Sequence, residues 1–191
     1  MPKQAKTLTA QELDRVLAYI KARPHAARNR VMLLLTVWTG MRVGEVAALT
    51  IADVRTDSGD IKDEVYLAAE RVKYRHARTV YINQRMREEL AKYVNSKQWI
   101  YDDQPLFSTQ QSMRKAFSRN TLAQHFHYLY RRAGVAGASS HSGRRTFITT
   151  LANKGVSVRL LASLAGHRSI ATTQQYIDVN DDLKRRAVEL V

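Results

Sequence analysis

The chain has 191 residues, 45% of them hydrophobic and 25% charged, and its 31 Lys and Arg against 17 Asp and Glu leave a net charge of +14. That apolar content can fill a core and excludes a disordered basic tail, while the absence of cysteine excludes disulfide scaffolds, thiolate zinc sites, iron–sulfur clusters and thiol catalysis. No stretch has the length of a membrane span, the N-terminus lacks the apolar region of a signal peptide, and the charge points to a polyanionic partner, most simply nucleic acid in the cytoplasm.

Thr9 followed by Glu12 has the spacing of a capping box, and Leu13, Val16, Leu17 and Ile20 give the helix it starts one apolar face. Pro24 closes this helix or opens the next. Residues 25–38 are apolar nearly all round, with Thr36 interrupting the run from Val31 to Trp38, which predicts a helix central to the core. Thr39 and Gly40 break it, and an amphipathic helix over 43–49 follows. Between 53 and 83 the pattern changes: Asp57-Ser58-Gly59-Asp60 is turn chemistry, and Val65, Leu67 and Thr79 to Ile82 alternate as strands do, predicting a small antiparallel sheet. The segment joining its last two strands is dense in basic groups, Arg71, Lys73, Arg75, His76 and Arg78, with Tyr74 among them.

Helices resume over 85–94 and 120–133, the second burying Leu122, Phe126 and Leu129. His125 and His127 flank Phe126 as helix-surface histidines, with no carboxylate or third histidine near enough in sequence to complete a metal site. Three short helices follow over 142–153, 157–165 and 169–179, with Gly155 and Gly166 at C-terminal positions and Ser157 and Ser169 as N-caps. Leu183, Ala187 and Leu190 make residues 180–191 a small amphipathic tail helix.

Arg42 lies in Thr39-Gly40-Met41-Arg42-Val43-Gly44-Glu45, tethered by Met41 and Val43; alone, it reads as an ordinary surface arginine or as an ion-paired one, with Glu45 a candidate partner. His141 and Arg144 share one face of a helix start, where a phosphate can be received or the side chains can simply be solvated. His167 follows Gly166, and nine residues later Tyr176 reads by itself as a core-edge aromatic. Taken together, Arg42, the basic turn with Lys73, His141-x-x-Arg144, Leu164-Ala165-Gly166-His167 and Tyr176 resemble the tyrosine recombinase (phage integrase) family. Its catalytic set is Arg, Lys, His-x-x-Arg, His or Trp, and a nucleophilic Tyr in that order. The resemblance runs from about Thr7 to Val179.

The resemblance implies an α+β fold, mainly helical with a small antiparallel sheet. Residues 1–179 would form the catalytic domain and 180–191 a tail helix docking on a neighbouring subunit. It implies site-specific recombination of DNA, by integration, excision or inversion. Tyr176 would attack the scissile phosphate, leaving a 3′-phosphotyrosyl link and a free 5′-hydroxyl, while Arg42 and Arg144 hold the phosphate oxygens. Lys73 would be the general acid, His141 an assisting acid or base, and His167 a donor to a phosphate oxygen, with no metal or other cofactor. The implied partner is double-stranded DNA carrying recombination sites, bound by a homotetramer, with DNA-bending accessory proteins left open. Arg71, Arg75, Arg114, Lys115, Arg119, Arg131, Arg132 and Arg145 read as phosphate contacts that position the duplex.

Two rival readings stand beside this one: a type IB topoisomerase with the same chemistry, and a non-catalytic DNA-binding regulator whose short helices over 151–176 would pass for a helix-turn-helix. The chain also departs from the family pattern. Gly143 stands where a large apolar residue is usual, and no proline lies near Tyr81. The pattern begins within the first few residues, where most members carry a further DNA-binding domain, so a catalytic domain standing alone is expected, as in the fimbrial phase-switching recombinases.

Overall fold

A computed structural model describes residues 4–69, 77–97, 101–110, 112, 114–176, 184–185 and 188–189. The elements run α1 (Ala10–Lys21), α2 (Ala26–Trp38), α3 (Val43–Ala47), α4 (Ile51–Val54), β1 (Glu64–Leu67), β2 (Arg78–Tyr81), α5 (Gln84–Asn95), α6 (Arg119–Arg132), α7 (Ser142–Asn153), α8 (Val158–Ala165) and α9 (Ile170–Gln174). This is the mainly helical α+β architecture that the sequence predicts.

α1 begins as its capping box requires: the Glu12 N–H donates to Thr9 Oγ1 at 3.2 Å and the Thr9 N–H to the Glu12 carboxylate at 3.0 Å. Its stripe turns Val16 and Ile20 inward. α2 is the axis of the core, with every residue from Val31 to Val37 buried and α1, α3, α5 and α7 packed around it. A helix apolar on all sides is stable only when enclosed in this way. Thr36, its polar interruption, satisfies its hydroxyl on the Leu33 carbonyl at 2.7 Å.

α7 crosses α2 at Gly143, and the crossing is close. A Cβ at this position would lie 2.8 Å from Thr36 Cβ and nearer still to its hydroxyl. The departure noted at Gly143 is therefore a packing requirement: without a side chain there, α7 settles directly on the central helix.

The helix expected over 43–49 forms but ends at Ala47. The Leu49 carbonyl accepts from the Leu106 N–H at 2.8 Å and the Ile51 N–H donates to the Gln104 carbonyl at 3.0 Å, so this stretch pairs with residues 104–106. The chain restarts as α4 behind Thr50, whose N–H and hydroxyl both donate to Asp53. β1 and β2 form an antiparallel pair with Val65 opposite Val80 and Tyr66 opposite Thr79. Val65, Leu67 and Val80 face the core, while Tyr66 and Tyr81 are exposed. The basic segment between the strands, with Arg71, Lys73 and Arg75, lies outside the described residues.

α9 is shorter than the helix predicted over 169–179. It ends at Gln174, and the Tyr176 N–H closes a tighter turn onto the Thr173 carbonyl at 2.9 Å. Most of the tail over 180–191 also lies outside the described residues. Among the described residues, no helix is long and apolar enough to cross a membrane.

Candidate active site

The site is organised by the end of α8. The last carbonyls of a helix have no donor within it, and they carry the negative end of its dipole. Here three consecutive ones each accept from an arginine of a different element. Arg78, at the start of β2, donates through Nη1 to the Leu164 carbonyl at 2.7 Å. Arg144, in the first turn of α7, donates through Nη2 to the Ala165 carbonyl. Arg42, ahead of α3, donates through Nη2 to the Gly166 carbonyl at 3.0 Å. Gly166 caps the helix at φ 61°, and a side chain there would strike the Arg78 stem, so glycine is required on both counts.

A single buried carboxylate ties the array together. Glu45, 3% exposed, accepts from Arg42 Nη1 at 2.8 Å and Arg78 Nη2 at 2.7 Å, and also from the Arg42 N–H at 2.7 Å. Burial pushes the Glu45 pKa up, but the hydrogen bond and charge of Arg78, with those of Arg42, outweigh it and hold the carboxyl below its usual range. Arg144, 4% exposed, donates its remaining Nη to the Gly40 carbonyl at 2.7 Å. Burial first, and then the charges of Arg42 and Arg78, push its guanidinium down to about 9, which leaves it a cation at neutral pH. Three guanidiniums grouped around one carboxylate leave surplus positive charge, and an anion is the natural ligand for it.

That surplus faces a cleft of about 1070 Å³ lined by Arg42, His141, Arg144, His167 and Tyr176, with Arg119 and Arg168 also contributing. His167 Nδ1 lies 2.9 Å from Thr173 Oγ1, and its ring stacks on Tyr176 with centroids 5.7 Å apart and planes at 23°. Burial, reinforced by Arg144, Arg42 and Arg78, lowers the His167 pKa to about 4, so the imidazole is neutral. When the Thr173 hydroxyl donates to Nδ1, the proton sits on Nε2, which is then a hydrogen-bond donor.

Five of the six residues singled out from the sequence thus border one cleft, and the sixth, Lys73, lies outside the described residues. Sequence reasoning missed Arg78, which looked like one more member of a basic segment, and Arg168. Glu45 was legible only as a partner for Arg42. Of the proposed phosphate contacts, Arg119 sits on the cleft wall with its methylene stem beside Gly44. Arg114 and Lys115 are exposed on the loop before α6. Arg131 and Arg132 occupy the last turn of α6, roughly 18 Å along the helix from Arg119, and do not line the cleft. Arg145 borders a separate hollow of about 330 Å³ that also reaches Tyr176. His125 is not the surface histidine expected: it is partly buried with Nε2 3.2 Å from Asn29 Oδ1, and burial lowers its pKa to about 4.

His125 and His167 predict how the free protein responds to acid. Both bind a proton near pH 6.5 when unfolded and only near pH 4 when folded. Between those values the unfolded state holds more protons, so their stabilising contribution is complete above about pH 6.5 and is lost as pH falls. Thermal melts from pH 7.5 to 4.5 are expected to show stability falling with a slope approaching two protons, and His125→Gln should remove about one of them.

A model of the phage integrase family matches residues 6–182. The chain is 29% identical to the tyrosine recombinase XerA of Pyrococcus furiosus over 96% of its own length and 61% of that protein. It is 30% identical to the XerA of Thermococcus kodakarensis, over 96% of this chain and 62% of that one. It therefore spans about three fifths of the length of these curated relatives. Among solved structures, a XerA recombinase superposes with a TM-score of 0.76 at 24% identity, covering 100% of this chain and 66% of that one. A lambda integrase dimer bound to a core site gives 0.69 at 21% identity, over 93% and 49%.

Proposed function

Because the chain belongs to the phage integrase family, we propose that it cuts and rejoins DNA strands at specific sites through a covalent 3′-phosphotyrosyl intermediate on Tyr176. The observation that carries this reading is the meeting of Arg42, Arg144, His167, His141 and Tyr176 on one cationic cleft. The Tyr176 phenolic oxygen attacks phosphorus, the bond to the 5′ oxygen breaks, and the phosphate is kept as an ester until another 5′-hydroxyl reverses the step. Arg42 and Arg144 offer planar forks to the non-bridging oxygens as charge develops. Neutral His167 donates to one of them through Nε2, and His141 takes the phenol proton. Lys73 supplies the proton to the leaving 5′ oxygen, a role suited to a side chain protonated up to about pH 10.4.

Arg119 and Arg168, with Arg114 and Lys115, hold the duplex by its phosphates. The working assembly is a homotetramer on two sites, with the tail over 180–191 docked on a neighbouring subunit, acting on DNA in the cytoplasm. The test is a nicked duplex carrying the site that this chain selects from random-sequence DNA. Because the nick lets the cleaved fragment diffuse away, a protein–DNA adduct should accumulate and map to Tyr176. No adduct on a duplex that the protein binds would overturn the proposal. The Lys73 role is checked on a substrate with a 5′-thiolate leaving group: Lys73→Ala should be slow on the oxygen ester and restored on the sulfur one, and equal slowness on both would remove the acid assignment.

A further inference from the structure

α7 carries two adjacent arginines with different tasks. Arg144 turns into the cleft, while Arg145, about 100° further round the helix, leans on the nucleophile, its Cζ 5.1 Å from the centroid of the Tyr176 ring. The ring borders both hollows, so His167 stacks on it from the cleft and Arg145 approaches from the smaller one. A guanidinium over an aromatic face engages the π system and leaves the hydroxyl unoccupied. Arg145 is itself fixed from behind, since its Nε donates to Thr7 Oγ1 at 3.1 Å. The next residue, Leu8, is buried and donates its N–H to Thr146 Oγ1 at 2.9 Å. One turn along α7, the Thr149 hydroxyl donates to the Tyr176 carbonyl at 3.4 Å.

The nucleophile needs such support, because α9 has only five residues and Tyr176 lies beyond its end. We infer that Arg145, anchored by Thr7, is a positioning residue that holds the Tyr176 ring for attack, with Thr149 securing the backbone beneath it. This rests on the recombinase reading and gives Arg145 a task other than the duplex contact that the sequence suggests. A phosphate contact would serve any nucleophile, whereas a brace on Tyr176 serves only the tyrosine.

The test uses that difference. On the nicked duplex, Arg145→Ala is expected to slow adduct formation about tenfold, the order that a cation–π contact of this kind represents, and Thr7→Val to slow it less. In the Tyr176→Phe background, hydrogen peroxide replaces the phenol: hydroperoxide attacks phosphorus and the 5′-hydroxyl leaves as before. There Arg145→Ala should leave cleavage within about twofold. An equal loss with both nucleophiles would make Arg145 a DNA contact and overturn the inference, as would no loss with either. A second arm needs no DNA. Amide exchange of residues 170–176 in the free protein should quicken in Arg145→Ala while the α2 segment is unchanged, and unaltered exchange would overturn the brace even if the recombinase reading itself had failed for want of any adduct.

Discussion

Tyr176→Phe is expected to abolish the covalent protein–DNA adduct altogether while leaving duplex binding within about twofold. The substitution removes one oxygen and keeps the ring, so the stack on His167 and the Arg145 contact have the same surface to act on. Nothing in the cleft's charge changes either, since Arg42, Glu45, Arg78 and Arg144 keep every bond they make to one another and to the end of α8. Binding and chemistry should therefore separate cleanly, by gel shift against denaturing electrophoresis. An adduct that persists would place the nucleophile on another residue.

The second large effect is expected at Arg144. Removing a well-placed donor to a developing oxyanion costs about 3 kcal/mol, or a hundredfold and more in rate, and Arg144→Ala should reach at least that. Binding to the duplex should fall only a few-fold, because many phosphates share the rest of it. The variant also strips two buried carbonyls, of Gly40 and Ala165, of their donor, so some loss of stability accompanies it. Arg144→Lys separates these contributions. It keeps the charge but not the planar fork, so most of the loss in the cleavage step should remain in single-turnover assays. If the lysine variant cleaves like the parent, Arg144 acts through charge alone.

Much of this site is written in the order of side chains along the chain. The Thr9 capping box, the enclosed helix α2 and the left-handed glycines that follow α7 and α8 are local rules of propensity and periodicity, and these survive tertiary packing. The residues that meet on the cleft stood out because their types and order match a family pattern. Arg78 was not, since nothing in a run of basic residues marks the one that folds inward to meet Glu45. The early end of the helix expected over 43–49 was hidden as well, because the Gln104 and Leu106 backbone groups that bond the chain at Leu49 and Ile51 are remote in sequence. His125 read as surface because its partner, Asn29, belongs to another helix.

The row of carbonyls closing α8 also bears on how this site tolerates sequence change. The three arginines are spaced by the pitch of a peptide backbone, and the side chains of Leu164 and Ala165 have no part in the hydrogen bonds that set that spacing. Substitutions there that preserve the helix and its burial should leave the arrangement intact, whereas any side chain at Gly166 should disturb it. A cluster of arginines held on main-chain atoms can keep its geometry while the side chains around it change, much as a printed page keeps its margins while the text changes.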